Sequence, residues 1–122
     1  MKTNHALIVE DELDLANIFA RALEMGGFTT NIALTGKQAL AYAAEHVPDV
    51  VVLDLHLPDI DGLEILYRIR ADERLNKTKV IVASADAQMV QLAEDKADLI
   101  LVKPVSVSQL RDLALQIGRA HV

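Results

Sequence analysis

Four short apolar runs constrain this chain most, because none alternates with polar residues and each ends on a side chain that chemistry can use. Ala6-Leu7-Ile8-Val9 runs into Glu10 and Asp11, and Val50-Val51-Val52-Leu53 runs into Asp54. Val80-Ile81-Val82-Ala83 ends at Ser84, and Leu99-Ile100-Leu101-Val102 ends at Lys103-Pro104. A half-exposed strand would alternate. An unbroken, β-branched run implies a strand covered on both faces, hence a parallel sheet between helices. In open α/β sheets ligands sit beyond the carboxyl ends of the strands. The acids, the hydroxyl and the amine are therefore expected along one edge.

Helical patterns fill the intervals. Leu15, Ile18, Phe19 and Ala22 recur at helical spacing from Glu12 to Met25, and Gly26-Gly27 supplies the stop. Phe28 to Leu34 reads as a second, more mixed strand. Thr35-Gly36-Lys37-Gln38 reads as a capping box opening a helix to about His46, with Pro48 beyond its end. A loop from Asp54 to Asp61 precedes a helix predicted from about Gly62 to Glu73, and a weaker, short one spans Ala87 to Asp95. Ser106-Val107-Ser108-Gln109 is a second capping box, opening a helix through Leu110, Leu113, Leu115 and Ile117 to near Arg119. Five β-α units with right-handed crossovers give an α/β three-layer sandwich, here one domain over residues 1–122.

Composition narrows the function. With 122 residues there is room for one core, and 3% aromatic content makes that core aliphatic. A net charge of −6 argues against nucleic acid as a direct partner, because neutralising phosphates needs a basic face. The chain has no cysteine, which excludes disulfides and thiolate metal sites and fits a reducing compartment. The first apolar stretch is too short for a signal peptide, and no stretch approaches membrane-spanning length. A cytoplasmic protein without membrane contact is expected. His5, His46 and His121 read as scattered surface residues.

The strand ends carry the chemistry. Three converging carboxylates, Glu10, Asp11 and Asp54, repel one another unless a cation compensates. Oxygen-only ligands suit a hard ion, and Mg²⁺ commonly takes one or two carboxylates plus water and phosphate. Lys103 closes a buried run and can reach Asp54 or a phosphoryl group as a point charge; Pro104 restricts it to extended backbone and invites a cis bond. Ser84 can donate to a phosphoryl oxygen. Taken singly, each acid, the lysine and the serine read as ordinary loop residues; the weight lies in their convergence.

The ordered set Glu10-Asp11, then Asp54-Leu-His-Leu-Pro58-Asp-Ile-Asp61-Gly62, then Ser84-Ala85, then Lys103-Pro104 resembles the receiver domain of two-component response regulators. The resemblance covers essentially the whole chain. It implies a flavodoxin-like fold with a five-stranded parallel sheet in the order 2-1-3-4-5. It implies Asp54 as phosphoacceptor, with Mg²⁺ held by Glu10, Asp11, Asp54 and the backbone carbonyl of His56. It implies Lys103 pairing with phosphoryl oxygens and Ser84 moving to hydrogen-bond them. It also implies that His56 and Asp86, two residues past Asp54 and Ser84, flank the phosphoryl group and set its lifetime. The implied partners are a histidine kinase or histidine phosphotransfer protein, and a downstream protein or fused output domain. The chain is expected to be a monomer or weak dimer, either stand-alone or a piece of a larger protein. Its only reactions are expected to be self-phosphorylation and autodephosphorylation.

Two features depart from the family pattern. Ile100 stands where receivers usually carry Tyr or Phe as a switch residue beside the mobile hydroxyl of Ser84. Ser84 to Lys103 is about one helical turn shorter than usual, so the fourth helix is expected to be short, with the segment before the last strand reduced to Lys96-Ala97-Asp98. The missing aromatic favours one alternative, a degenerate receiver acting by binding alone. A haloacid-dehalogenase-like phosphatase would have an acid where His56 stands. A flavodoxin-like binder would need a Ser/Thr/Gly-rich phosphate loop where Glu10-Asp11-Glu12 stands.

Overall fold

All four apolar runs become strands, and three of them, at residues 6–9, 50–53 and 80–83, are buried throughout. A computed structural model describes residues 4–120. Its elements are β1 (His5–Val9), α1 (Leu13–Met25), β2 (Thr29–Ala33), α2 (Gly36–Glu45), β3 (Val50–Asp54), α3 (Gly62–Ala71), β4 (Lys79–Ser84), α4 (Ala87–Ala93), β5 (Leu99–Val102) and α5 (Val107–Ala120). The strands form one parallel sheet in the order β2-β1-β3-β4-β5, as expected.

Alternation returns inside the runs as a division between two cores. Ala6, Ile8, Val50, Val52, Ile81 and Ala83 face α1 and α5, where Phe19, Leu23, Leu110 and Leu113 cover them. Leu7, Val9, Val51, Leu53, Val80 and Val82 face the other layer, under Ile65, Leu66, Ile69 and Ala93. In the first three runs each residue is buried whichever way it points, which is why they carry no polar residues. The fourth, Leu99–Val102, is the edge strand β5, partly buried with Val102 exposed, because no further strand flanks it. β2 lies at the sheet's edge and is the half-exposed strand that its mixed composition predicts.

Local signals set the helix starts. Ser106 and Gln109 cap each other, Gln109 N donating to Ser106 Oγ and Ser106 N to Gln109 Oε1. At α2 the box is offset: Thr35 Oγ1 accepts from Gln38 N, but Gln38 reaches one residue further back and accepts from Leu34 N. α3 ends at Ala71, two residues before the predicted end, because Asp72 caps a separate 3-10 turn at Glu73–Leu75. α4 is the predicted short helix, seven residues long. Arg70 compensates for the trimmed segment after it, donating to Lys96 O and to Asp98 Oδ2, which also accepts from Val80 N.

The histidines are not all scattered. His5 at the start of β1 and His46 after α2 both pack against the Tyr42 ring, with centroids 5.7 Å and 4.5 Å away, and the Tyr42 hydroxyl meets His5 Nε2. Parallel strand and helix ends meet there, 41 residues apart in sequence (46 − 5). His121 lies outside the described residues. No described helix is long and apolar enough to cross a membrane.

Candidate functional site

The expected edge forms at the carboxyl ends of β1, β3, β4 and β5. Glu10 follows β1 and Asp54 closes β3, and both are buried, at 1% and 4% exposure. Asp11 is exposed beside them. One carboxylate oxygen from each of the three acids lies within 4.8 Å of the others, the only such group of metal-ligating side chains among the described residues. An all-oxygen set of this size fits a hard divalent cation and excludes a thiolate or imidazole site.

Lys103 supplies the countercharge, though its nearer partner is not the expected one. Its Nζ lies 2.8 Å from Glu10 Oε1 and 3.5 Å from Asp54 Oδ2. Glu10 Oε2 accepts from Glu12 N at 3.3 Å, so both its oxygens are engaged. Burial is the main influence on Glu10 and, with Asp54 alongside, pushes its pKa up to about 7 against the pull of Lys103. Burial opposes the charge on Lys103 too, but the carboxylates of Glu10 and Asp54 outweigh it and hold the ammonium above its ordinary pKa. Two buried acids facing one lysine leave negative charge to spare. The peptide bond from Lys103 to Pro104 is cis.

Backbone contacts aim the remaining groups. Asp54 Oδ1 accepts from His56 N at 3.1 Å, which ties the carboxylate to the loop that follows it. Gly62 packs against the start of that loop so closely that a Cβ there would lie 2.4 Å from Leu55 Cα. Ser84 is fully buried, and its Oγ accepts from Asp86 N, which leaves the hydroxyl proton available to an acceptor. Lys103 N donates to Ser84 O, joining the ends of β4 and β5. His56 Nε2 and Asp86 Oδ2 lie 3.7 Å apart, a partly exposed pair linking the β3–α3 loop to the start of α4. Ile100 pairs with Val82 across β4 and β5 and packs, partly buried, on the core under α3 and α4.

The sequence pattern of the response regulator receiver domain matches residues 6–115. The chain belongs to that family. This receiver is 38% identical over 106 residues to the transcriptional regulatory protein TrcR of Mycobacterium tuberculosis, spanning 85% of the chain and 41% of TrcR. It is 32% identical over 108 residues to the polar-differentiation response regulator DivK of Brucella ovis, spanning 86% of the chain and 88% of DivK. A solved CheY-like receiver domain from Methylobacillus flagellatus superposes with a TM-score of 0.83 at 31% identity, over 96% of this chain and 99% of that one. The receiver thus spans less than half the length of TrcR and of similar transcriptional regulators. It is a phosphoacceptor signalling domain of the two-component type.

Sequence reasoning missed two parts of this site. It brought Lys103 to Asp54, a contact present at 3.5 Å, without its nearer partner Glu10 at 2.8 Å, and it gave Asp59 of the neighbouring loop no role. That residue reads as an ordinary turn acid after Pro58, and its partners lie more than 20 residues back in the chain.

Proposed function

We propose that Asp54 is the phosphoacceptor and that residues 1–122 work as one receiver domain. One observation carries this reading: the buried carboxylate closing β3 shares one lysine with a second buried acid, at the sheet edge where a phosphoryl donor can enter. Glu10, Asp11 and Asp54, with the backbone carbonyl of His56, would hold Mg²⁺, which when bound supplies positive charge opposite the phosphoryl oxygens.

A carboxylate is a poor nucleophile toward an anionic donor until charge is cancelled. Asp54 attacks phosphorus, and the bond from phosphorus to its oxygen forms as the donor's phosphorus–nitrogen bond breaks, the electron pair leaving with the imidazole. Lys103 balances charge on the phosphoryl oxygens from its place beside Asp54. Ser84 donates its free proton to one of them. His56 and Asp86 flank the group and set how long it lasts. The acyl phosphate then acts by shifting the population between two packings, with Ser84 and Ile100 as the switch positions.

The donor is a histidine kinase or histidine phosphotransfer protein, and the recipient a downstream protein or fused output domain. The domain works in the cytoplasm as a monomer or weak dimer, without nucleic acid or membrane contact of its own. It turns over no other substrate. Intact mass after incubation with acetyl phosphate tests this. One added phosphoryl group, dependent on Mg²⁺ and absent in Asp54→Asn, is expected. Retained labelling in a folded Asp54→Asn would overturn the assignment. No addition to a folded, Mg²⁺-binding parent would favour a receiver that acts by binding alone.

A further inference from the structure

The loop from Leu55 to Asp61 carries His56; besides the His56 N–Asp54 Oδ1 bond, the His56–Asp86 pair and the packing of Leu57 and Ile60 on the core, three contacts set its path. Two tie it to the start of α3: Gly62 N donates to Leu55 O at 3.2 Å, and Leu63 N donates to Asp61 Oδ1 at 2.9 Å. The third crosses to another helix. Asp59 Oδ1 accepts from Gly36 N at 2.8 Å, and Asp59 Oδ2 from Lys37 N at 2.9 Å.

Those N–H groups belong to the first turn of α2 and have no acceptor within the helix. Thr35 takes the next donor, Gln38 N, and its carbonyl takes Ala39 N. The opening turn of α2 is therefore fully paired, and half of the pairing comes from a loop more than 20 residues later. The approach depends on Gly36 lacking a side chain: a Cβ there would lie 2.9 Å from both Ile60 Cβ and Ile65 Cδ1. A carboxylate at this end of a helix is also favoured by the helix dipole.

We propose that Asp59 is a positioning residue: by locking the β3–α3 loop onto the first turn of α2, it holds the His56 carbonyl ready for Mg²⁺. The proposal rests on the receiver reading of the acidic site. Without Asp59 the loop loses its hydrogen bonds to α2 and keeps the apolar packing of Leu57 and Ile60 and the His56–Asp86 pair, so more of the ordering of its backbone falls to the metal. The coupling is reciprocal, so Mg²⁺ binding tightens the contact and slows amide exchange at Gly36 and Lys37.

The test is a calorimetric Mg²⁺ titration of the parent, Asp59→Ala, Asp59→Asn and Lys37→Pro, with urea unfolding of each alongside. Asp59→Ala is expected to weaken Mg²⁺ binding about tenfold, the scale seen when supporting groups of a metal site are lost. Asp59→Asn, which keeps one acceptor, falls between. Lys37→Pro removes an N–H donated to Asp59 at a helix position that accepts proline, so it weakens binding with the carboxylate intact. It also carries the test if Asp59→Ala folds poorly. Folded variants with lower urea midpoints but the parent's Mg²⁺ affinity would overturn the proposal and leave the receiver reading standing. A parent that binds no Mg²⁺ would overturn both.

Discussion

Lys103 and Glu10, 93 residues apart, meet at 2.8 Å beneath the site, and the same ammonium lies only 3.5 Å from Asp54. One lysine thus serves two buried carboxylates and cannot neutralise both. The surplus negative charge is what makes the site receptive to a divalent cation.

Lys103→Met removes that balance. At pH 8 it is expected to destabilise the metal-free domain by about 2 kcal/mol, less than the roughly 3–5 kcal/mol of a fully buried pair because the ammonium is partly wet. Saturating Mg²⁺ recovers most of the loss, and at pH 6 the loss is smaller because Glu10 takes up a proton. Urea unfolding under the three conditions reads this, and an unchanged midpoint at pH 8 would contradict it.

Glu10 also makes the domain pH-sensitive. Its pKa is raised from 4.5 to about 7, chiefly by burial, so between those values the folded state binds the proton more tightly than the unfolded chain. The stabilisation from that proton is complete below about 4.5 and is lost as pH rises through about 7. Mg²⁺ must displace the proton, so its affinity runs the other way, falling about tenfold from pH 8 to pH 6. Calorimetric titrations at the two pH values, in buffers of different ionisation heat, measure both the affinity and the proton released. A flat profile would count against it.

The pairing of His56 with Asp86 gives a sign to their effect on phosphoryl lifetime. The pair links the loop that follows Asp54 to the start of α4, so His56→Ala is expected to give water easier access to the acyl phosphate. Loss of the phosphoryl group should quicken by about twofold to fivefold, the rate equivalent of the roughly 0.5–1 kcal/mol such an exposed pair is worth. Asp86 is the poorer choice for the test because it also caps α4 through Gln88 N and Met89 N. Following phosphate release from the labelled domain decides the matter, and a slower rate in His56→Ala would refute this role.

Gly62→Ala tests the packing behind the acid. The added methyl would lie 2.4 Å from Leu55 Cα and 2.8 Å from Asp54 O, backbone atoms with no rotamer to change. A loss of about 2–3 kcal/mol is expected, at the upper end for overpacking. Urea unfolding measures it, and a loss under about 0.5 kcal/mol, the ordinary range of surface changes, would show that the loop yields.

Much of this was legible locally. The unbroken runs at Leu7, Val51 and Val80 announce strands covered on both faces, and the residue that ends each run must stand at the same edge of a parallel sheet. Ser106 and Gln109 announce a helix start because a capping box is closed within four residues. The end of α3 was misjudged by two residues because Asp72 starts a new turn with its own side chain, a choice that helical periodicity does not register.

The sequence by itself determined the layers, the side chains that end the strands and the family, since each depends on runs, spacings and residue types that neighbours in the chain set. Only the tertiary structure decided the pairings: Lys103 with Glu10, Asp59 with the first turn of α2, His56 with Asp86, and His5 and His46 around Tyr42. Each joins residues on different elements. Their distances follow from how strands and helices stack across the sheet, and local spacing carries no record of that.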